Sequence, residues 1–248
     1  MKRALLGTYS YAEFGACLAA WLPILAGSRI VHRNDPVPRI PGRWLRRLAR
    51  VSTSLSPLWK FEVRGAAPAD IGTHAYVVVC NHESSADPFL LSHLPWDMRW
   101  VAKQELFRTP MSGWALSLSG DIPLRRGDAD SVRAMLAECR RTLGEGLSVM
   151  MFPEGTRSED GTIGRFKDGA FELAIDAGVP VLPLALTGTR DCRPKGSVWF
   201  GEASAVVRVL EPLSTRGMTR EDLPRLRDEA RERIVAAVSE LHRERSGG

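Results

Sequence analysis

Features that would point to several common kinds of functional site are missing from this sequence of 248 residues. Its cysteines are few and scattered, with no paired spacing for zinc ligands or a redox couple: Cys17, Cys80, Cys139 and Cys192. We expect them to be reduced and mostly structural, as in a cytosolic protein. The chain also has no internal repeat, and its length permits one sizeable core with an appended element rather than two full domains.

The positive charge of the chain is not accompanied by the signature of a nucleic-acid-binding fold. A formal net charge of +5 is compatible with nucleic acid, an anionic membrane surface or a phosphorylated substrate. The arginines come without any nucleic-acid-binding fold signature, so we expect no nucleic-acid partner. A membrane surface and a phosphorylated substrate remain as the partners that the charge allows.

The first sixty residues have the pattern of a helical hairpin. From Ala4 to Ala26 only Glu13 is charged, and this run is nearly long enough for one bilayer crossing, although a signal peptide has a similar pattern. The prolines of residues 34–41 predict a turn. From Trp44 apolar residues recur at steps of four and three, the period of one helix face, and we expect this helix to close with Trp59 and Lys60.

The second helix of this hairpin is basic as well as amphipathic, since four arginines crowd its first half: Arg43, Arg46, Arg47 and Arg50. Such a helix is suited to anionic lipid headgroups, whereas packing on the protein's own domain is the alternative. Because an apolar segment precedes it, we predict a membrane-associated hairpin over residues 1–60 and an α/β domain over residues 61–248.

Beyond residue 61, short apolar runs alternate with helical segments. Four runs are typical of buried strands: Tyr76–Cys80, Ser148–Phe152, Val181–Leu186 and Ala205–Val209. Helices are predicted over Asp130–Glu145 and Asp168–Ala177, and a last one from a capping box at Thr219–Asp222 to about Arg243. The alternation predicts an α/β sandwich or a partly closed mixed sheet.

Residues 81–87, the first segment, contain a histidine and a carboxylate. His82 follows directly on a predicted strand, where α/β folds place working residues, and Asp87 comes five residues later. Neither a helix nor a strand brings residues at this offset together, so the pair can meet only if the chain turns between them. The carboxylate would then orient the imidazole as a general base, although an isolated pair at this spacing is common.

A serine nucleophile is not indicated. Ser84 and Ser85 lack the glycine-flanked elbow of α/β hydrolases, and we interpret them as turn or capping residues. The substrate would then supply the nucleophile: His82 would deprotonate an incoming hydroxyl, which attacks an activated acyl group.

Residues 152–157 have the composition of an anion site; they are called the third segment, because a second one, defined below, lies between them and the first. Gly155 permits close backbone approach to a ligand, and Thr156 adds a hydroxyl. Arg157 carries a planar donor fork that matches phosphate oxygens. The alternative is a structural turn in which Glu154 and Arg157 pair with each other.

Four segments in order over residues 75–190 resemble the PlsC-type glycerolipid acyltransferase family. They are Asn81–Asp87, then Gly120–Arg126 (the second segment), Phe152–Arg157, and Val179–Leu184 (the fourth segment). The second segment has Pro123 where the family usually has an aromatic residue, and Arg125 where a small or acidic residue is common.

The resemblance implies a mixed-sheet, glycerol-3-phosphate acyltransferase-like core and 1-acyl-sn-glycerol-3-phosphate acyltransferase activity. His82 would be the general base on the free hydroxyl of lysophosphatidic acid, held by Asp87. The donor would be acyl-CoA or acyl carrier protein as co-substrate, with no metal, no further cofactor and no covalent enzyme intermediate. The glycerol phosphate would be held by Lys103, Arg126, Glu154, Gly155, Thr156 and Arg157.

The family's thioester donors are cytosolic, which argues against cleavage of the N-terminus. The resemblance therefore implies docking on membrane lipid at the cytoplasmic face of the inner membrane. Related enzymes acylate lyso-ornithine lipids or glycerol 3-phosphate instead. Two further alternatives are a thioesterase in which His82 activates water, and a non-catalytic protein that binds anionic lipid through its basic hairpin.

Overall fold

A seven-stranded mixed sheet forms the centre of the computed structural model, which describes residues 2–158, 161–193 and 199–246. The strands lie in the order β1-β7-β6-β2-β5-β3-β4, and all neighbours are parallel except β6 and β7. Their bounds are β1 Trp59–Arg64, β2 Val77–Cys80, β3 Met98–Lys103, β4 Ile122–Leu124, β5 Ser148–Met151, β6 Val181–Thr187 and β7 Ala203–Val209. The predicted α/β class and mixed sheet are confirmed.

Seven α-helices accompany these strands in the described residues: α1 Lys2–Val31, α2 Arg39–Leu55, α3 Asp87–Leu91, α4 Ser112–Ser119, α5 Ala129–Gly144, α6 Gly169–Ala177 and α7 Leu223–Ser246. Three short 3-10 helices span Gln104–Arg108, Thr189–Cys192 and Arg220–Asp222. The predicted capping box is present, because the Thr219 side chain accepts from Glu221 N and Asp222 caps the Thr219 backbone. It opens the last 3-10 helix, which leads directly into α7.

The central strand β2 is buried on both faces, which explains its unbroken apolar run. Val77 and Val79 pack into a core with α5, α6 and α7, whereas Val78 and Cys80 pack on the opposite face with α3. All four residues are fully buried. Alternate side chains of one strand thus serve two separate cores, as the pleat requires.

The N-terminal hairpin is formed by α1 and α2, joined across residues 32–38. By length and composition the segment Leu5–Val31 is long and apolar enough to cross a membrane, and only 17% of its most apolar 18 residues are buried within the protein. A signal sequence near an N-terminus has the same length and composition. Trp59 and Lys60 do not close α2, which corrects that prediction. The helix ends at Leu55, and the two residues instead begin β1, in register with Ala203 and Ser204.

A buried ion pair attaches α2 to the second segment. Arg46 Nη2 donates to both carboxylate oxygens of Asp121, at 2.7 and 2.6 Å, and the Asp121 side chain has no exposed surface. The guanidinium also lies 4.3 Å above the centroid of the Trp100 ring. Arg43 pairs with Asp97 at 2.6 Å. Two of the four predicted lipid-facing arginines therefore contact the protein itself, as the alternative interpretation of this helix expected.

The sheet topology brings the sequence segments to one edge. Strands β6, β2, β5, β3 and β4 are mutually parallel, so their carboxyl ends lie on the same side of the sheet. The first segment follows β2, the third follows β5, Lys103 ends β3, and Arg126 lies two residues beyond β4. Residues separated by up to 75 positions in the chain thereby become neighbours at the place where α/β folds bind ligands.

Candidate active site

His82 and Asp87 form a hydrogen-bonded pair at this edge. His82 Nδ1 lies 2.6 Å from Asp87 Oδ2. The expected turn is present, because the Asp87 carboxylate also accepts from the backbone N–H groups of Glu83 at 2.9 Å and Ser84 at 3.1 Å. Asp87 begins α3 and is completely buried. The carboxylate thus orders the loop and orients the imidazole together.

The second ring nitrogen of His82 is available for chemistry. The imidazole stacks on Phe152 of the third segment, with centroids 4.0 Å apart and an interplanar angle of 18°. Its side chain is 14% exposed. Within the described residues Nε2 makes no hydrogen bond, so with Nδ1–H directed to Asp87 this nitrogen is the atom that can accept a proton.

Glu154 links the first and third segments. Its Oε1 accepts from His82 N at 2.8 Å and its Oε2 accepts from Gly164 N at 2.9 Å. Burial raises the pKa of this carboxyl. The alternative Glu154–Arg157 pairing is absent among the described contacts. The resemblance implied that Glu154 helps to hold the glycerol phosphate, and this stays a prediction; in the structure both of its oxygens accept backbone N–H groups.

Three residues for which the sequence predicted no role support the dyad on the buried side of Asp87: Thr189, Glu83 and Gly188. Thr189 donates its hydroxyl to Asp87 Oδ1. Glu83 Oε2 accepts from Gly188 N at 3.0 Å, and burial, with the nearby charge of Asp87, raises the pKa of Glu83 to about 7. Thr189 follows β6 by two residues, so its position directly after a buried strand was the available signal.

Asn81 fixes the first segment to the fourth. Its side-chain amide donates to Leu186 O at 2.9 Å and accepts from Leu186 N at 2.9 Å. Strand β6, which contains part of the fourth segment, is buried along its whole length, in agreement with its prediction as a core strand. These contacts fix the position from which His82 projects.

Residues 155–157 of the third segment lie beside His82, because Glu154 and Ser158 on either side of them bond to its backbone. Gly155 adopts φ 71°, a left-handed conformation that favours glycine, and a Cβ there would lie 2.7 Å from Lys167 Nζ. Thr156 and Arg157 are exposed, and Ser158 N donates to His82 O at 2.9 Å. Lys167 was not singled out from the sequence. The structure therefore places Gly155, Thr156 and Arg157 with Lys167 beside the histidine.

The remaining predicted cations lie further along the edge. Lys103 is exposed and 3.6 Å from Glu105, and Arg126 is exposed without an ion pair in the described part of the chain. With neighbouring strands about 4.8 Å apart, the end of β4 lies roughly 14 Å from that of β2. Lys103 and Arg126 can thus reach only the outer part of a ligand bound at His82.

An apolar cavity of about 520 Å³ lies between the hairpin and the α/β domain. Ser85 and Ala86 of the first segment and Pro88 of α3 line it, so it reaches the loop that carries the dyad. Its other walls are mainly hydrophobic and include Phe14, Leu18, Leu48, Phe89 and Leu116. A cavity of this size and lining suits a small-molecule ligand with a long apolar part.

The four cysteines belong neither to the dyad nor to the third segment. All four cysteines are unpaired and buried, as expected. Over residues 2–158, 161–193 and 199–246, no group of three His, Cys, Asp or Glu side chains is arranged to hold a metal ion. Independence from metals remains a prediction.

A family model described as Acyltransferase matches residues 60–187. The chain is 40% identical over 146 residues to the chloroplastic 1-acyl-sn-glycerol-3-phosphate acyltransferase BAT2 of Brassica napus, which covers 59% of this chain and 42% of that protein. It is 37% identical over 193 residues to the human 1-acyl-sn-glycerol-3-phosphate acyltransferase alpha, covering 76% and 67%. The chain thus spans about two fifths of the length of the plant relative.

A solved structure extends the similarity to nearly the whole chain. The crystal structure of the 1-acyl-sn-glycerophosphate acyltransferase PlsC from Thermotoga maritima superposes with a TM-score of 0.79. It is 26% identical and covers 97% of this chain and 96% of that one. The similarity therefore includes the hairpin as well as the sheet.

Proposed function

Because the chain belongs to the acyltransferase family, we propose that it transfers a fatty acyl group from a thioester to the free hydroxyl of lysophosphatidic acid, giving phosphatidic acid. The observation that carries the proposal is the His82–Asp87 pair. Its loop contributes Ser85 and Ala86 to the wall of the apolar cavity, and the third segment with Arg157 adjoins it through the bond from Ser158 N to His82 O. The names of the relatives in plants, human and Thermotoga support the same reaction.

The chemical step needs only groups that the dyad and the substrates supply. His82 Nε2 removes the proton from the acceptor hydroxyl as the oxygen attacks the thioester carbonyl. The buried Asp87 carboxylate stabilises the imidazolium that forms. The tetrahedral intermediate then collapses to the ester, the C–S bond breaks, and the departing thiolate takes the proton from His82. The imidazole returns to its starting state.

The phosphate of the acceptor is proposed to bind at the third segment. Arg157 supplies the donor fork, Thr156 a hydroxyl, and Lys167 an ammonium group above Gly155. Lys103 and Arg126 lie further along the sheet edge and would contribute long-range attraction. Glu154 is proposed to position His82 through its backbone N–H, and its place at the glycerol phosphate stays a prediction.

The apolar cavity is proposed to bind an acyl chain, with the thioester or the glycerol hydroxyl near Ser85 and Ala86. The donor is acyl-CoA or acyl carrier protein. Large apolar side chains of α1, including Leu5 and Ile30, are exposed, which supports association with membrane lipid. We place the protein on the cytoplasmic face of the inner membrane, where such donors are available.

Thiol release from palmitoyl-CoA by the purified protein in detergent, with and without lysophosphatidic acid, tests this function. Release that depends on lysophosphatidic acid, with phosphatidic acid as product, is the expected result. Equal release without any acceptor would instead identify a thioesterase. Release that requires lyso-ornithine lipid or glycerol 3-phosphate would keep the transferase chemistry and overturn the acceptor.

A further inference from the structure

A second cleft, of about 550 Å³, lies at the opposite edge of the sheet from His82. One wall is the face of α2 that carries Arg39, Arg43, Arg46, Arg47 and Arg50. The other walls come from residues 71–72, 94–97 and 146–147, which precede β2, β3 and β5. The cleft is thus built from the starts of the parallel strands, whereas the dyad follows their ends. We call it the arginine cleft.

The arginine cleft has a large excess of positive charge. Asp97 is the single acidic residue among its lining residues, all of which lie in the described part of the chain. Asp97 pairs with Arg43, and Arg46 pairs with Asp121. Arg39 donates to a backbone carbonyl, and Arg47 lies 5.0 Å above the Trp44 ring. In these residues, Arg39, Arg47 and Arg50 therefore have no carboxylate partner.

The arginines of the cleft are close enough to repel one another. Arg39, Arg43 and Arg47 follow one another at steps of four on a single helix face, where like charges are unfavourable, and Asp97 compensates only Arg43. Two buried donors of lining residues, Trp96 Nε1 and Arg46 Nε, also have no hydrogen-bond partner within the described residues. Excess cations together with unused N–H donors are the complement of a phosphate group.

The surroundings of the cleft favour a lipid as the source of that phosphate. Ile30 and Val31 at the end of α1 are 65% and 77% exposed, and a seven-residue turn separates them from Arg39. Trp44 and Trp96 line the cleft itself. Exposed aliphatic residues followed by tryptophan and arginine is the order found across the boundary between hydrocarbon and headgroups.

We propose that the arginine cleft binds the phosphate of an anionic glycerophospholipid, such as phosphatidylglycerol, in the membrane on which the protein lies. This lipid is a surface ligand and not a substrate, because the cleft and the dyad lie at opposite edges of the sheet. The assignment shares with the proposed function only the location at a membrane. Its test measures binding and does not require turnover.

Sedimentation with phosphatidylcholine vesicles, with and without phosphatidylglycerol, tests the charge of the cleft. The double variant R47Q/R50Q is expected to bind the phosphatidylglycerol vesicles about 25-fold more weakly, at roughly 5-fold for each basic residue, and to bind pure phosphatidylcholine as the parent does. The matched control is R216Q/R243Q, which removes two exposed arginines outside the cleft. Equal losses for both double variants would mean diffuse attraction and would overturn the site.

Trp96→Phe tests whether the unpartnered indole N–H of Trp96 donates to the lipid phosphate, and it does not change the charge. Loss of the indole N–H should weaken binding to phosphatidylglycerol vesicles about 10-fold, whereas the control Trp114→Phe, at a tryptophan that is 59% exposed, should leave the preference for phosphatidylglycerol unchanged. Unchanged binding of Trp96→Phe would overturn the site. A second result would also overturn the site: an R47Q/R50Q protein that binds vesicles normally but loses activity only when the donor is acyl carrier protein. That result would assign the cleft to the acidic carrier.

Discussion

His82 is the residue on which the proposed chemistry depends. His82→Ala removes the proton acceptor and should lower turnover by a factor of about 10² to 10⁴, since a lost general base typically costs this much. The fold should change little, because the ring stacks on Phe152 at the rim of the site. Thiol release with lysophosphatidic acid measures the effect, and His74→Ala, at an exposed histidine, is the control. Near-normal turnover would remove His82 from the mechanism.

Thr189 is expected to act on the reaction through Asp87. Thr189→Val removes the hydroxyl donated to Asp87 Oδ1 while the other acceptor bonds of the carboxylate remain. A hydrogen bond to a charged group contributes about 1.5–3 kcal/mol, so kcat should fall about 10- to 100-fold. The KM for the acceptor should not change.

Thr189→Ser keeps the hydroxyl and should restore most of kcat. A residue that only fills space would behave differently, because valine would then be tolerated and serine would be the poorer substitute. The comparison of kcat among threonine, serine and valine therefore separates a positioning role from packing.

Arg157 should influence binding rather than the chemical step. Arg157→Ala removes the exposed donor fork of the third segment and should raise the KM for lysophosphatidic acid about 10-fold or more, with a smaller effect on kcat. Steady-state kinetics at varied acceptor and fixed donor concentration measure the changes in KM and kcat separately. Arg165→Ala, at a nearby exposed arginine, is the control, and an unchanged KM would place the phosphate elsewhere.

At the level of elements, the hairpin is fastened to the sheet by the Arg46–Asp121 pair. Asp121→Asn leaves a largely buried guanidinium without its counter-charge and should destabilise the protein by about 3–5 kcal/mol. Chemical unfolding in detergent measures this loss. Asp128→Asn breaks the more exposed Arg125–Asp128 pair and should cost about 1 kcal/mol or less. Similar losses for both variants would mean that the buried pair does not stabilise the fold.

Helices and strands could be predicted from the sequence where one hydrophobic pattern extends over a run of residues. The four predicted strands and the helices over α5, α6 and α7 were found because their patterns follow burial directly. Strand β1 was missed, since Trp59 and Lys60 continue the spacing of the preceding helix and only their pairing with Ala203 and Ser204 shows them to be extended. Strand β4 has three residues, too few for any period.

The site was predictable only where its residues are close in the chain or carry a family pattern. The contact of His82 with Asp87 followed from a local turn. Thr189 lies 102 residues from Asp87, and no local rule connects them. The link that Glu154 makes between the two segments was not predicted, because its partners, His82 N and Gly164 N, are backbone groups that composition does not reveal.

At the scale of the whole molecule, Glu83 couples stability to pH. Its pKa is raised from 4.5 to about 7 in the folded state, so the folded protein binds the proton more tightly than the unfolded chain. The associated stability is fully present below about pH 4.5 and is lost as the pH rises through 7. Relative to Glu83→Gln, the parent should lose about 2 kcal/mol between pH 5 and pH 8. Urea unfolding of both proteins at the two pH values checks this, and a constant difference would contradict it.

The shared wall of the apolar cavity has a kinetic consequence. Phe14 and Leu18 of α1 and Leu48 of α2 face Phe89 and Leu116 of the α/β domain across it, so an acyl chain enters between the anchor and the catalytic unit. Substrates would then arrive by lateral diffusion within an amphiphile phase. The rate would follow the mole fraction of lysophosphatidic acid in the micelle or bilayer, and inert detergent added at constant substrate would slow the enzyme by surface dilution.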